Sequence, residues 1–469
     1  MATIPKEAPA PPERPPPLPL PKTFALDEHH LVRSVNGLAI PIIAENLFQT
    51  MLGVVDLAMV GTLGAVAIAG TGSALQIMFL VIAALSAVTV GTTVLVARFT
   101  GAGEPHEASR AAKQSLLMAV GLAAVVTVLG HFFAHNVIAM LGVEPEVVQA
   151  GGAYLDVTAQ MSLFLIVQLT CGGALRGAGD TRTPMIVTGL VNLVNVGVAY
   201  VLIFGHFGLP ALGVVGSAWG AAIARTIGAV VMIAILASGR RKVDIRGLDG
   251  WRPDFALMSR VLKIGLPSMV EQTLMSGGML LYSVIVIGMG TAAYAAQRIT
   301  FNALSVSFLP GMGFGMAATT MTGQSLGARR PDIANRATWI AFRMAAVWMC
   351  TMGACLIVFD RQIMSLFTDD PEIIAVGAPA LRVIALSQPI QALAQVMAGS
   401  LRGAGDTRFP MYATGVSIWL VRLPLGWLFG VPLNLGLSGV YISNVLDAAV
   451  RAAANYWRYR AGRWQSARV

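Results

Sequence analysis

Apolar runs separated by short polar intervals fill the chain from residue 38 to residue 459. A helix needs about 20 such residues to cross the hydrocarbon of a bilayer. Twelve runs of that order follow one another, at 38–62, 68–97, 114–135, 152–174, 185–205, 212–238, 262–288, 294–322, 337–360, 378–400, 410–430 and 437–459. The pattern predicts an all-α polytopic membrane protein with twelve transmembrane helices.

The polar intervals repeat as well. Residues 175–185 read Leu-Arg-Gly-Ala-Gly-Asp-Thr-Arg-Thr-Pro-Met, and residues 401–411 differ from them only in Phe409 for Thr183, at an offset of 226. The same offset carries Pro41 and Glu45 onto Pro267 and Glu271, Pro105 and Arg110 onto Pro331 and Arg336, and Ser217 and Arg225 onto Ser443 and Arg451. The chain is therefore a duplicated six-span unit. Six is even, so both halves enter the membrane in the same sense, as parallel repeats about an axis along the membrane normal. Two lobes forming a V are expected. The expected units are a Pro-rich, disordered cytoplasmic tail (1–30), a first lobe (31–238), a cytoplasmic linker (239–261), a second lobe (262–460) and a basic tail (461–469).

Charge settles orientation more than fold. Only 12% of residues are charged, about half the share of a soluble domain. Most of the 32 Lys and Arg fall in the N-terminal tail, alternate loops and the C-terminus. That bias places both termini in the cytoplasm, in a plasma or bacterial inner membrane. It accounts for the net charge of +9 through anionic lipid rather than nucleic acid. Cys171, Cys350 and Cys355 lie in apolar runs without metal-ligand or disulfide spacing. The six histidines provide no catalytic or metal constellation, so an enzyme is not expected and no cofactor is implied.

Ionisable groups at bilayer depth are the functional candidates, since each is costly unless it has a partner or lines a cavity. On the first helix Glu45, Gln49, Leu52 and Asp56 fall on one stripe. Glu45 and Asp56 are about 20° apart around the axis and about 16 Å apart along it. The second half reads Glu271, Met275, Gly278, Tyr282 on that stripe, so Tyr282 stands where the first half has Asp56. Gln76 and Asn302 are a further equivalent pair that could meet a ligand or a neighbouring helix. Arg225 and Arg451 are expected to snorkel to the interface. Arg422 lacks a counterpart in the first half.

In the repeated loop, Arg176 and Arg402 are placed to meet the carbonyls of a helix end, and Gly177 and Gly179 to permit positive φ there, with Gly403 the repeat equivalent of Gly177. Asp180 and Asp406 are placed to cap the next helix. A duplicated Leu-Arg-Gly-x-Gly-Asp-Thr-x-x-Pro-Met, twelve spans and a first helix reading Pro41-Ile-Ile-Ala-Glu-Asn-Leu-Phe-Gln-Thr-Met-Leu-Gly-Val-Val-Asp resemble the multidrug and toxic compound extrusion (MATE) family over about residues 35–460. The resemblance implies a secondary antiporter that exports amphipathic, mostly cationic drugs in exchange for H⁺ or Na⁺. It further implies that Asp56 takes the coupling cation with help from Asn195. The family's second acid on that helix is Ala199 here, with Asn192 one turn before Asn195 and Ser217 as a further oxygen. One carboxylate fewer favours a proton over sodium, which needs several oxygen ligands. The cavity set is then Glu45, Gln49, Glu271, Gln76, Asn302 and Tyr282. The expected partners are small organic cations, the ion and lipid, with the chain as a monomer. Export or flipping of an endogenous metabolite or a lipid-linked substrate is the alternative.

Overall fold

The computed structural model describes residues 28–466. In lipid a backbone amide must be satisfied within its own segment, so an apolar run becomes a helix whatever its intrinsic propensity. The first half contains α1 (Glu28–Gly61), α2 (Ala65–Ala102), α3 (Pro105–Ala139), α4 (Pro145–Gln160), α5 (Ser162–Gly177), α6 (Arg182–Phe204) and α7 (Gly213–Ala237). The second contains α8 (Phe255–Ile287), α9 (Thr291–Gly327), α10 (Pro331–Val358), the short α11 (Asp360–Ser365), α12 (Pro371–Ala385), α13 (Gln388–Gly403), α14 (Arg408–Val416), α15 (Leu423–Gly430) and α16 (Gly436–Arg460). Between α14 and α15 the backbone makes a π-helical segment, Ser417–Arg422. The sequence offset survives as geometry: α3 and α10, α4 and α12, and α6 and α14 begin at equivalent residues. Proline at the first helical positions of α3, α4, α10 and α12 sets those starts, because its missing N–H is unneeded there.

Among the described residues, nine helices are long and apolar enough to cross a membrane. The pairs α4 with α5 and α12 with α13 bring this to eleven, each pair being one span bent, by 55° and 50°. The twelfth expected span, α16, is a continuous helix, but Asp447, Arg451, Arg458 and Arg460 hold its hydropathy below that of the others.

The expected boundaries shift at three places. Residues 1–27 of the expected tail, like 467–469, lie outside the described residues, while Glu28–His30 already belong to α1. The C-terminal end is not free chain throughout, because Arg463–Ser466 forms a 3₁₀ turn that buries Trp464. Trp464 stacks on Tyr459 at 4.8 Å and donates its indole N–H to the Tyr459 carbonyl. The linker is strapped to α3. Lys113 Nζ donates to the carbonyls of Arg246, Gly247 and Asp249, and Gln114 Nε2 to those of Gly250 and Arg252. Asp254, which caps α8, receives Arg110 at 2.7 Å.

The halves join at the end that carries the linker and the repeated loops, here the basic end. One apolar cluster places Leu257, Val261 and Ile264 of α8 against Val94, Leu95 and Val96 of α2. A second places Leu31, Val35 and Leu38 of α1 against Phe314, Ala317 and Met321 of α9. Glycine allows backbones to touch there. A Cβ on Gly265 would strike the Ala87 carbonyl and one on Gly91 the Val261 carbonyl. Gly101 lies against Gln324 and Gly327 against Arg98, two contacts exchanged by the repeat. Close backbone approach through small residues is how membrane helices associate without a hydrophobic driving force between them.

Candidate functional site

The two halves share one buried carboxylate–guanidinium pair at equivalent positions. Glu45 is 6% exposed, and both of its oxygens lie 3.0 Å from Nη1 of Arg176. Thr188 Oγ1 donates to Glu45 as well. In the second half Arg402 donates to Glu271 at 2.7 and 3.2 Å, and Thr414 Oγ1 at 3.0 Å. Glu45 and Glu271, expected to line the cavity, are each paired with a guanidinium inside their own lobe. The arginines reach these acids across the lobe instead of turning to their own helix-end carbonyls. A paired, hydrogen-bonded charge is the form in which a carboxylate tolerates burial.

The loop motif divides its labour. Gly179 and Gly405 take the left-handed conformation at φ 88°, which only glycine adopts freely. Positive φ was expected at Gly179 and also at Gly177, but Gly177, like its repeat equivalent Gly403, instead makes room for a carbonyl on the neighbouring helix, that of Thr93 or Thr319. Asp180 accepts the Thr183 amide at 3.0 Å, as a capping residue does, and pairs with Arg241 of the linker. Asp406 pairs with Arg458 at 2.7 Å. Each loop is also gripped by the opposite half. Gln324 Nε2 donates to the Gly177 carbonyl at 2.8 Å, and Arg98 Nη2 to the Ala404 carbonyl at 3.1 Å. The motif therefore helps to seal the basic end.

Toward the opposite end of the first half, Asp56 is half-buried. The Asn195 amide donates to both of its oxygens, at 3.0 and 3.1 Å. Asn195 itself is 1% exposed and its Oδ1 has no partner. Buried Ser217 lies beside buried Tyr154, and Arg225 is near enough for its charge to act on both Tyr154 and Asp56. Arg225 sits midway along α7 beside the acid, so it does not snorkel to an interface as expected. Asn192 points elsewhere, donating to the Phe48 carbonyl at 2.6 Å. The structure thus brings together Asp56, Asn195, Ser217, Tyr154 and Arg225, and leaves Asn192 out. Tyr154 went unnoticed in the sequence because a tyrosine in an apolar run has no spacing that marks it. The mid-span position of Arg225 was the available signal for that residue.

Of the remaining cavity candidates, Gln49, Gln76 and Asn302 are exposed polar side chains within spans. Tyr282 is not: it is 1% exposed and donates to the Val440 carbonyl at 3.0 Å. The guanidinium of Arg422 covers its ring at 4.3 Å.

Comparison with known proteins agrees with the duplicated helical fold. The family model described as MatE matches twice, at residues 41–201 and 267–428. A probable multidrug resistance protein, NorM, from Thermotoga maritima is 32% identical over 436 residues, spanning 92% of this chain and 93% of its own. The multidrug resistance protein MdtK of Yersinia enterocolitica is 27% identical, spanning 91% and 95%. A solved structure described as the outward-facing conformation of a multidrug resistance MATE family transporter superimposes with a TM-score of 0.87. It is 23% identical and spans 93% of this chain and 97% of its own.

Proposed function

We propose, from the premise that this chain belongs to the MatE family of membrane transporters, that it is a secondary antiporter exporting amphipathic, mostly cationic drugs in exchange for a proton. Relatives named for multidrug resistance support the cargo class. The observation that carries the coupling is the Asp56–Asn195 contact, on a helix whose other span-depth acid, Glu45, is already neutralised. Asp56 holds either a cationic cargo or a proton, because one carboxylate cannot bind both tightly.

Asn195 is built to register that exchange. With its Nδ2 toward Asp56 it satisfies an ionised carboxylate. The unpartnered Oδ1 is left over, and turning the amide around presents an acceptor that needs a proton on Asp56. Ala199 offers no second acid, which argues for H⁺ over Na⁺. Protonation releases the cargo, and the lobes then rock about the seam at the basic end to expose the site alternately. Each charge carried inward through 100 mV contributes about 2.3 kcal/mol. In this reading the basic end is cytoplasmic, with both termini inside a bacterial inner membrane, and one chain is sufficient.

The test is ethidium and norfloxacin efflux from proteoliposomes under an imposed pH gradient and, separately, a sodium gradient. A proton gradient alone should drive efflux, and Asp56→Asn should abolish it with the protein still in the membrane. Full export by Asp56→Asn removes the coupling role.

A further inference from the structure

At the position of Asp56 the second half inverts the charge. Tyr282 replaces the acid, and Arg422, whose counterpart is Val196, lies over the tyrosine ring with its guanidinium carbon 4.3 Å from the centroid. Beyond the tyrosine, its Nη2 makes a weak contact, 3.8 Å from the Met279 sulfur. Its Nε is buried with no partner. The carboxylate on the adjoining helix does not neutralise it. Asp447 is fully buried and committed to Arg451 at 2.8 Å, with Ser417 donating to its carboxylate and to its backbone carbonyl. The first half has Ala221 in place of Asp447, so the acid has moved between helices and the arginine surplus is new.

The backbone around Arg422 is specialised too. Pro424 has no N–H to give the preceding turn, and the chain runs as a π-helix over Ser417–Arg422. The equivalent stretch of α6 is regular. Such π segments concentrate at functional sites. A guanidinium at bilayer depth is costly, and the tyrosine face offsets only part of that cost. A planar fork with spare N–H groups is the group that recognises a carboxylate.

We infer that Arg422, seated on Tyr282, binds an anionic group, a carboxylate, on the transported molecule. Tyr282 is the repeat counterpart of Asp56, so the two sites lie at equivalent depths in their halves. The first half takes the ammonium end and the second the carboxylate end of an amphipathic zwitterion. The inference rests on the export reading above and narrows its cargo.

Binding to the purified full chain, measured by equilibrium dialysis, tests it with three probes. Norfloxacin carries both charges, its methyl ester lacks the acid, and ethidium is a cation without one. Loss of one charge-assisted contact corresponds to about 10- to 100-fold in affinity. The wild-type chain should bind the ester weaker by that factor. Arg422→Gln should weaken norfloxacin to the level of the ester and leave ethidium unchanged, with Arg422→Lys between. Equal binding of norfloxacin and its ester to the wild type overturns the inference, as does an Arg422→Gln variant that loses ethidium equally. If Arg422→Gln fails to reach the membrane, the ester comparison on the wild type still decides. Failure of the wild type to bind any of the three removes the export reading itself.

Discussion

Replacing Glu45 by Gln tests whether this acid is structural. The side chains of Glu45 and Arg176 are each 9% exposed, and one guanidinium nitrogen serves both carboxylate oxygens. The substitution keeps the volume and removes the charge. Arg176 then stays buried with only a neutral amide in reach, and its Nε already lacks a partner. Breaking a buried pair from one side costs about 3–5 kcal/mol, mostly as the uncompensated charge of the survivor. Arg176→Gln should cost a similar amount, and the double variant much less than the sum, because no bare charge remains. The equivalent Glu271→Gln should cost less, since Arg402 is 29% exposed and solvent screens it. Reversible unfolding of purified protein in mixed micelles measures all four, with ethidium binding followed in parallel. The refuting outcome is a Glu45→Gln protein of unchanged stability that has lost ethidium binding. Glu45 would then face cargo after all.

Three further substitutions probe the seam, the strap and the proposed coupling role of Asp56. Gly265→Leu drives a side chain into the Ala87 carbonyl. Overpacking of about 1–3 kcal/mol should part the seam at the basic end, read as a longer distance between spin labels at the exposed Arg182 and Arg408. Lys113→Met orphans three carbonyls of the linker, so tryptic cleavage near Arg240–Lys242 should quicken by about tenfold or more; unchanged cleavage shows that the strap is dispensable. Asn195→Leu keeps Asp56 but removes its amide partner, so proton-driven efflux should fall at least tenfold with stability little changed. Undiminished efflux would mean that Asn195 does not take part.

Much of the site is legible in the sequence. Asp56 stands out as the first-helix acid that the second half does not repeat, and the family resemblance supplies Asn195 as its helper. Glu45 and Glu271 were marked by burial cost alone, and that argument does not distinguish a cavity from a buried partner. Arg176 was assigned to its own helix end because a basic residue in a last turn ordinarily interacts there. In the structure it crosses the lobe to an acid 131 positions away. Arg422 had a mid-span charge and a nearby proline as signals, but nothing local named Tyr282 as its seat.

What the amino-acid order decided alone is the class and the plan: apolar runs long enough for a bilayer, copied once, with basic residues sorted to one side. Those properties are local or periodic, and helices in lipid follow from them directly. The tertiary structure decided which charges remain unneutralised. That depends on which helices lie side by side, and a buried charge is silent or chemically active according to whether a partner stands within about 3 Å of it.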